Sequence, residues 1–128
     1  MLKRYNPSTI TAPFSGYSHG VEGPGSARWL HISGQVGVAA NGQLAQGAEA
    51  QMEQAWRNIF AILESAGLTR QDLVKVTVYL TRTEDIGRYR EMRDRMLEGA
   101  EPASTLLIVA GLASPDWLVE IEAVAATD

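Results

Sequence analysis

From Asp72 to Leu80 the chain reads DLVKVTVYL, with Val74, Val76, Val78 and Leu80 alternating against Lys75, Thr77 and Tyr79. A period of two sends these sets to opposite faces of a strand, one wholly apolar and one mixed. Residues 17–22 and 28–35 flank a Gly-Pro-Gly turn and predict a hairpin. In its second arm Trp29, His31, Ser33 and Gln35 share one face, Leu30 and Ile32 the other. Between Ala48 and Ala66 the period changes. Ala48, Met52, Ala55, Ile59, Ile62, Leu63 and Ala66 recur at steps of three and four, the spacing of a helix with one buried stripe, and Gly67 is placed to end it. A second helix is expected from a Thr83 cap through Gly99, with Glu84 and Asp85 at its positive N-terminal end and Ile86, Tyr89, Met92 and Met96 as a narrower stripe. Two further strands, 103–110 and 117–125, close the chain as a hairpin through GLASPD.

The order strand, strand, helix, strand, helix, strand, strand predicts an α+β fold in one domain, residues 1–128, with a mixed or antiparallel sheet and two helices on one face. The helices leave the second face bare. By alternation that face carries Trp29, Tyr79, Leu106, Ile108, Leu118 and Val124, an apolar surface that implies association of copies of the chain.

A hydrophobic content of 45% over 128 residues suffices for a core without staples. Cysteine is absent, so disulfides and thiolate chemistry are excluded, and His19 and His31 are the only imidazoles; no metal site is expected. The N-terminal MLKRYNPSTITAPFS lacks the apolar core of an export signal, and no stretch approaches the ~20 apolar residues that span a bilayer, so a cytoplasmic location without a membrane partner is expected. A net charge of -4 has the wrong sign for a nucleic-acid partner. Arg88, Arg90, Arg93 and Arg95 interleave with Glu91, Asp94 and Glu98 and, taken as a set, read as a solvated helix face with ion pairs.

The segments GYSHGVE, LHISGQVGV, AWRNIFAILESAGLTRQDLVKVTVYLT and VEIEAVA, in this order and spacing, resemble the RidA/YjgF family of imine and enamine deaminases, formerly the endoribonuclease L-PSP family, over nearly the whole chain. The resemblance implies a chorismate-mutase-like fold, a homotrimer whose sheets form a central barrel, and a small-molecule metabolite bound in clefts between neighbouring subunits. The implied reaction is cofactor-free hydrolysis of a 2-imino or 2-enamino acid to a 2-keto acid and ammonia. It needs an anchor for the substrate carboxylate, a polarised imine carbon and a held water.

Residue by residue, Tyr17 matches the family's cleft tyrosine, Ser33 the serine of its SGQ, and Glu120 the glutamate beside the attacking water. Each also has an ordinary structural role open to it: sealing a loop, satisfying a strand end, or sitting as a solvated carboxylate. Glu122 shares the face of Glu120, roughly 7 Å further along, and suits a structural position near the trimer axis or rim. The match breaks at Ser104. Deaminase-active members carry arginine there, in PAR, and its guanidinium forks onto the substrate carboxylate; this chain reads PAS. A hydroxyl makes one hydrogen bond of about 0.5–1.5 kcal/mol net, against about 1.5–3 for each bond to a charged group. Altered specificity follows, toward a neutral or differently anchored compound, and Ser104→Arg is expected to improve hydrolysis of 2-iminopropanoate. Arg90 falls near a family asparagine of the second helix and is a candidate compensating cation. Three functions remain: a deaminase of altered specificity, a non-catalytic small-molecule-binding trimer, and, third, an endoribonuclease, which the acidic charge opposes.

Overall fold

The structure, a computed structural model, describes residues 1–14 and 16–128. Its main sheet has four strands in the order β3 (Arg28–Val36), β6 (Val119–Thr127), β4 (Leu73–Leu80), β5 (Ala103–Ile108); β4 runs parallel to β5 and antiparallel to β6, and β3 antiparallel to β6. The fold is α+β with a mixed sheet and two helices, as expected. Helix α1 (Ala48–Ser65) buries Met52, Ala55, Trp56, Ile59 and Leu63, and α2 (Ile86–Leu97) buries Tyr89, Met92 and Leu97. Both stripes meet Ile32, Val76, Val78, Val119, Ile121, Ala123 and Ala125 in one core. Alanine at 123 and 125 lets α1 lie close on the sheet.

Both expected hairpins are corrected. Residues 17–22 do not pair with 28–35: β2 (Gly20–Glu22) pairs instead with β1 (Lys3–Tyr5), a strand the alternation did not reveal, and β3 pairs with β6. The Gly-Pro-Gly turn reverses the chain, but β6 offers β3 a nine-residue strand to pair with, where β2 has only three residues. Likewise β5 does not pair with β6. The helix between β4 and β5 returns the chain parallel to β4, and β6 then enters on the other edge of β4. Gln51 of α1 anchors that entry: its buried amide donates to Asp116 O at 3.1 Å and accepts from Leu118 N–H at 2.9 Å.

Two details shift. Thr83 does not cap α2; Thr83–Asp85 form a short 3-10 turn, and buried Asp85 is held by Arg82 at 2.8 Å and Arg88 at 3.2 Å. The register of β5 also reassigns its faces. Leu106 lies opposite Val78 and Ile108 opposite Leu80, on the helix side, and Leu106 and Leu118 pack against the core. The bare face instead presents Trp29, His31, Lys75, Thr77, Tyr79, Thr105, Leu107, Glu120, Glu122 and Val124. Alternation fixes which residues of a strand go together; the pairing partner decides which side they take.

Candidate functional site

Residues 17–19 dock on the start of β5. Ser18 is buried; its N–H donates to Pro102 O at 3.1 Å and its hydroxyl to Glu101 O at 2.6 Å, making a parallel bridge with Ala103. On one side of this clamp His19 receives no freedom either, since its Nε2 donates to Thr11 O at 2.7 Å and its backbone N–H to Asn6 Oδ1 at 2.7 Å. On the other side Tyr17 sets its ring edge-on to His19, centroids 5.8 Å apart, and its hydroxyl accepts the Phe14 N–H at 3.2 Å. Tyr17 therefore braces its own loop while facing a cavity.

That cavity, about 180 Å³, is lined by Phe14, Tyr17, Arg90, Arg93, Ser104 and Leu106. Strand β5 supplies its floor: the register that places Leu106 against the core turns Ser104 to the same side, two residues earlier. Helix α2 supplies the cationic wall, because residues three apart stand one above the other on a helix. Arg93 is buried, its guanidinium 3.2 Å from Asp94 Oδ1 and 6.0 Å from the Tyr89 ring centroid, whereas Arg90 is exposed and has no ion-pair partner among the described residues. The lining contains two guanidiniums, two hydroxyls, two aromatic rings and a leucine, and no carboxylate from this chain. Three of the expected site residues, Tyr17, Arg90 and Ser104, thus meet in one place.

Ser33 and Glu120 do not join them within one chain. Val119 and Ile121 are buried beneath the helices, so Glu120 lies on the opposite face of the sheet, as the alternation of β6 requires, paired in register with Tyr79 and Val36. Ser33 and Gly34 form a bulge in β3, two residues opposite Glu122 where one would fit. The bulge has a use: a Cβ on Gly34 would fall 1.8 Å from Glu120 Oε2. Glycine here lets the carboxylate lie against the backbone beside Ser33. Glu122 hydrogen-bonds the Tyr79 hydroxyl, and that bond, with burial second, raises the phenol above its ordinary pKa.

The sequence reading singled out neither Arg93 nor Gly34 nor Ser18 as a site residue. A signal for Arg93 was present, since it stands four residues after Tyr89 and one after Met92, at the margin of the apolar stripe. Among the described residues no cluster of three or more His, Asp or Glu is placed to hold a metal ion, and no helix is long and apolar enough to cross a membrane.

Similarity to known proteins agrees with this frame. The family model described as Endoribonuclease L-PSP matches residues 9–127. The chain belongs to that family, the RidA/YjgF proteins. It superposes on the crystal structure of YyfB from Yersinia pestis, a protein of unknown function of the conserved Rid protein family, with a TM-score of 0.87, 35% identity and 98% of each chain covered. It is 37% identical over 122 residues to the 2-iminobutanoate/2-iminopropanoate deaminase of Mus musculus, covering 92% of this chain and 87% of that one. A RutC family protein of Aquifex aeolicus is 42% identical over 83 residues, 64% of this chain and 62% of that protein's length.

Proposed function

We propose that the protein is a hydrolytic deaminase of small imines or enamines that works as a homotrimer, with altered specificity because Ser104 stands in the cleft. Two separated half-sites are the observation that carries this reading. Tyr17, Arg90 and Ser104 line a cavity on the helix side of the sheet, while Ser33 and Glu120 lie on the bare side. A second copy seated on the bare face brings the halves of two chains together in a shared cleft, and it covers the apolar surface that one chain leaves open.

In that cleft Glu120 holds a water against the imine carbon and takes its proton as the oxygen attacks. The resulting carbinolamine bears oxygen and nitrogen on one carbon. In forming it Glu120 passes the water proton to the nitrogen; it then carries the hydroxyl proton to the same nitrogen, the C–N bond breaks, and ammonia leaves as the C=O forms, so one imine and one water give one carbonyl compound and one ammonia. Tyr17 and Ser104 orient the substrate, and Ser33 donates near the reacting centre. Neither a cofactor nor a metal enters the sequence.

The test is ammonia release from small imines generated in situ, 2-iminopropanoate and a neutral imine side by side, compared with the spontaneous rate. Acceleration that Glu120→Gln lowers by about a hundredfold, within the 10²–10⁴ typical of a positioned general base, is the expected result. A binding protein without chemistry is the second reading, favoured by the neutral Ser104 on the cavity floor. It takes over if release never exceeds the spontaneous rate while a small ligand still binds. An endoribonuclease stands third; purified protein that leaves RNA intact removes it.

A further inference from the structure

We infer that helix α2, through Arg90 with Arg93 fixed beside it, supplies the anion anchor of the cavity and so selects small carboxylates in spite of the neutral Ser104. The inference rests on the cavity being the ligand site, and it goes beyond that reading by assigning the charge.

The part of the cavity that one chain supplies is unbalanced electrically. Two guanidiniums line it and no acidic side chain does. Arg93 is buried and its nearest acid, Asp94, is an exposed residue of the same helix, so the pair fixes the plane of one guanidinium without placing a carboxylate in the lining. Arg90, one turn earlier, is exposed and has no ion-pair partner among the described residues. Its fork is therefore available to a ligand at no cost of breaking a salt bridge. Across the cavity the Ser104 hydroxyl offers a third donor, and Tyr17 a fourth polar group, while Phe14 and Leu106 give the remaining wall an apolar character. A carboxylate held between Arg90 and Ser104, with a short alkyl group toward Leu106, uses each of these features.

Size is compatible with that class. An open cavity of about 180 Å³ has room for a ligand of a few heavy atoms, such as a three-carbon 2-keto or 2-imino carboxylate. On this view Ser104 is the small residue that leaves room for a charge arriving from the opposite wall. Ser104→Arg, which the sequence alone expects to help, then crowds a third guanidinium into the same space and weakens binding.

The experiment is calorimetric titration of the full chain with pyruvate and with its neutral counterpart pyruvamide, alongside the ammonia-release assay. Pyruvate is expected to bind more tightly than pyruvamide and to lose affinity as salt rises. Arg90→Gln, an exposed change that leaves the core intact, should weaken pyruvate about ten- to a hundredfold, with Arg90→Lys between the two because it keeps charge but loses the fork. Arg57→Gln on α1, remote from the cavity, serves as the control and should bind as the wild type does. Equal affinities for pyruvate and pyruvamide, pyruvate binding unchanged in Arg90→Gln, or tighter binding by Ser104→Arg each overturn the inference. Hydrolysis that survives intact in Arg90→Gln also overturns it while leaving the deaminase reading standing. Arg90-dependent pyruvate binding without hydrolysis in any variant does the reverse.

Discussion

Tyr89 is wholly buried, and its hydroxyl has no hydrogen-bond partner among the described residues. Burial, the larger effect, drives its pKa far above the ordinary phenol value, and for Tyr79 the bond to Glu122 acts in the same direction. Both shifts run upward, so the folded state holds these protons more tightly than the unfolded chain does. That stabilisation is complete below a pH of about 10 and is lost as pH rises through the folded values. Tyr89→Phe removes an unsatisfied buried hydroxyl and should stabilise the protein by about 1 kcal/mol, seen as a melting temperature higher by roughly 3–5 °C. Urea midpoints at pH 8 and at pH 10.5 should also fall less in the variant than in the wild type; an equal or larger fall counts against the burial argument. Gly34 makes a different kind of prediction. An added methyl strikes the end of a flexible side chain, Glu120, so Gly34→Ala should cost little stability yet displace the carboxylate and lower ammonia release at least tenfold. A large drop in melting temperature with activity per folded molecule intact is the contrary outcome.

Among the elements, the join between the end of β3 and α1 leaves no room for a side chain at Gly37. A Cβ on Gly37 would lie 2.5 Å from the Gln51 Cα, a backbone atom with no freedom to swing away. Gly37→Ala should therefore destabilise by about 1–3 kcal/mol, unlike Gly34→Ala, a contrast that denaturation of the two variants measures directly. Gln51 adds its clamp on Asp116 and Leu118, and Gln51→Leu should also destabilise, by removing both of these part-buried hydrogen bonds just before β6. The helices were legible here because a period of 3.6 is a property of one segment: α1 begins at Ala48 and ends within one residue of the expected boundary. The three-residue β1 was not, being too short to show alternation, and β2 was expected only within the longer 17–22 arm of a different hairpin, because pairing depends on residues far away in the chain.

For the whole molecule, the bare sheet face is where the proposed assembly is tested. Trp29 and Leu107 are 51% and 45% exposed there, beside Thr77, Tyr79 and Val124. The proposed trimer predicts a mass by light scattering about three times the 13.9 kDa of one chain. Leu107→Glu, which places a charge on that face without touching the core, should shift the mass toward the monomer and lower ammonia release with it, because each cleft needs residues of two copies. A stable monomer of wild-type protein ends the shared-cleft proposal.

Local spacing determined the α+β class, the two helices and the β6 alternation that sends Glu120 away from the core, since each depends only on a short repeat and on the transfer of apolar groups out of water. The tertiary structure alone decided that β6 lies between β3 and β4, that Leu106 turns inward with Ser104 beside it, and that Arg93 shares a cavity with Arg90 and Tyr17. Those facts depend on which strand edges find each other and on the angle at which α2 returns across the sheet. Periodicity along a single strand or helix carries no information about either.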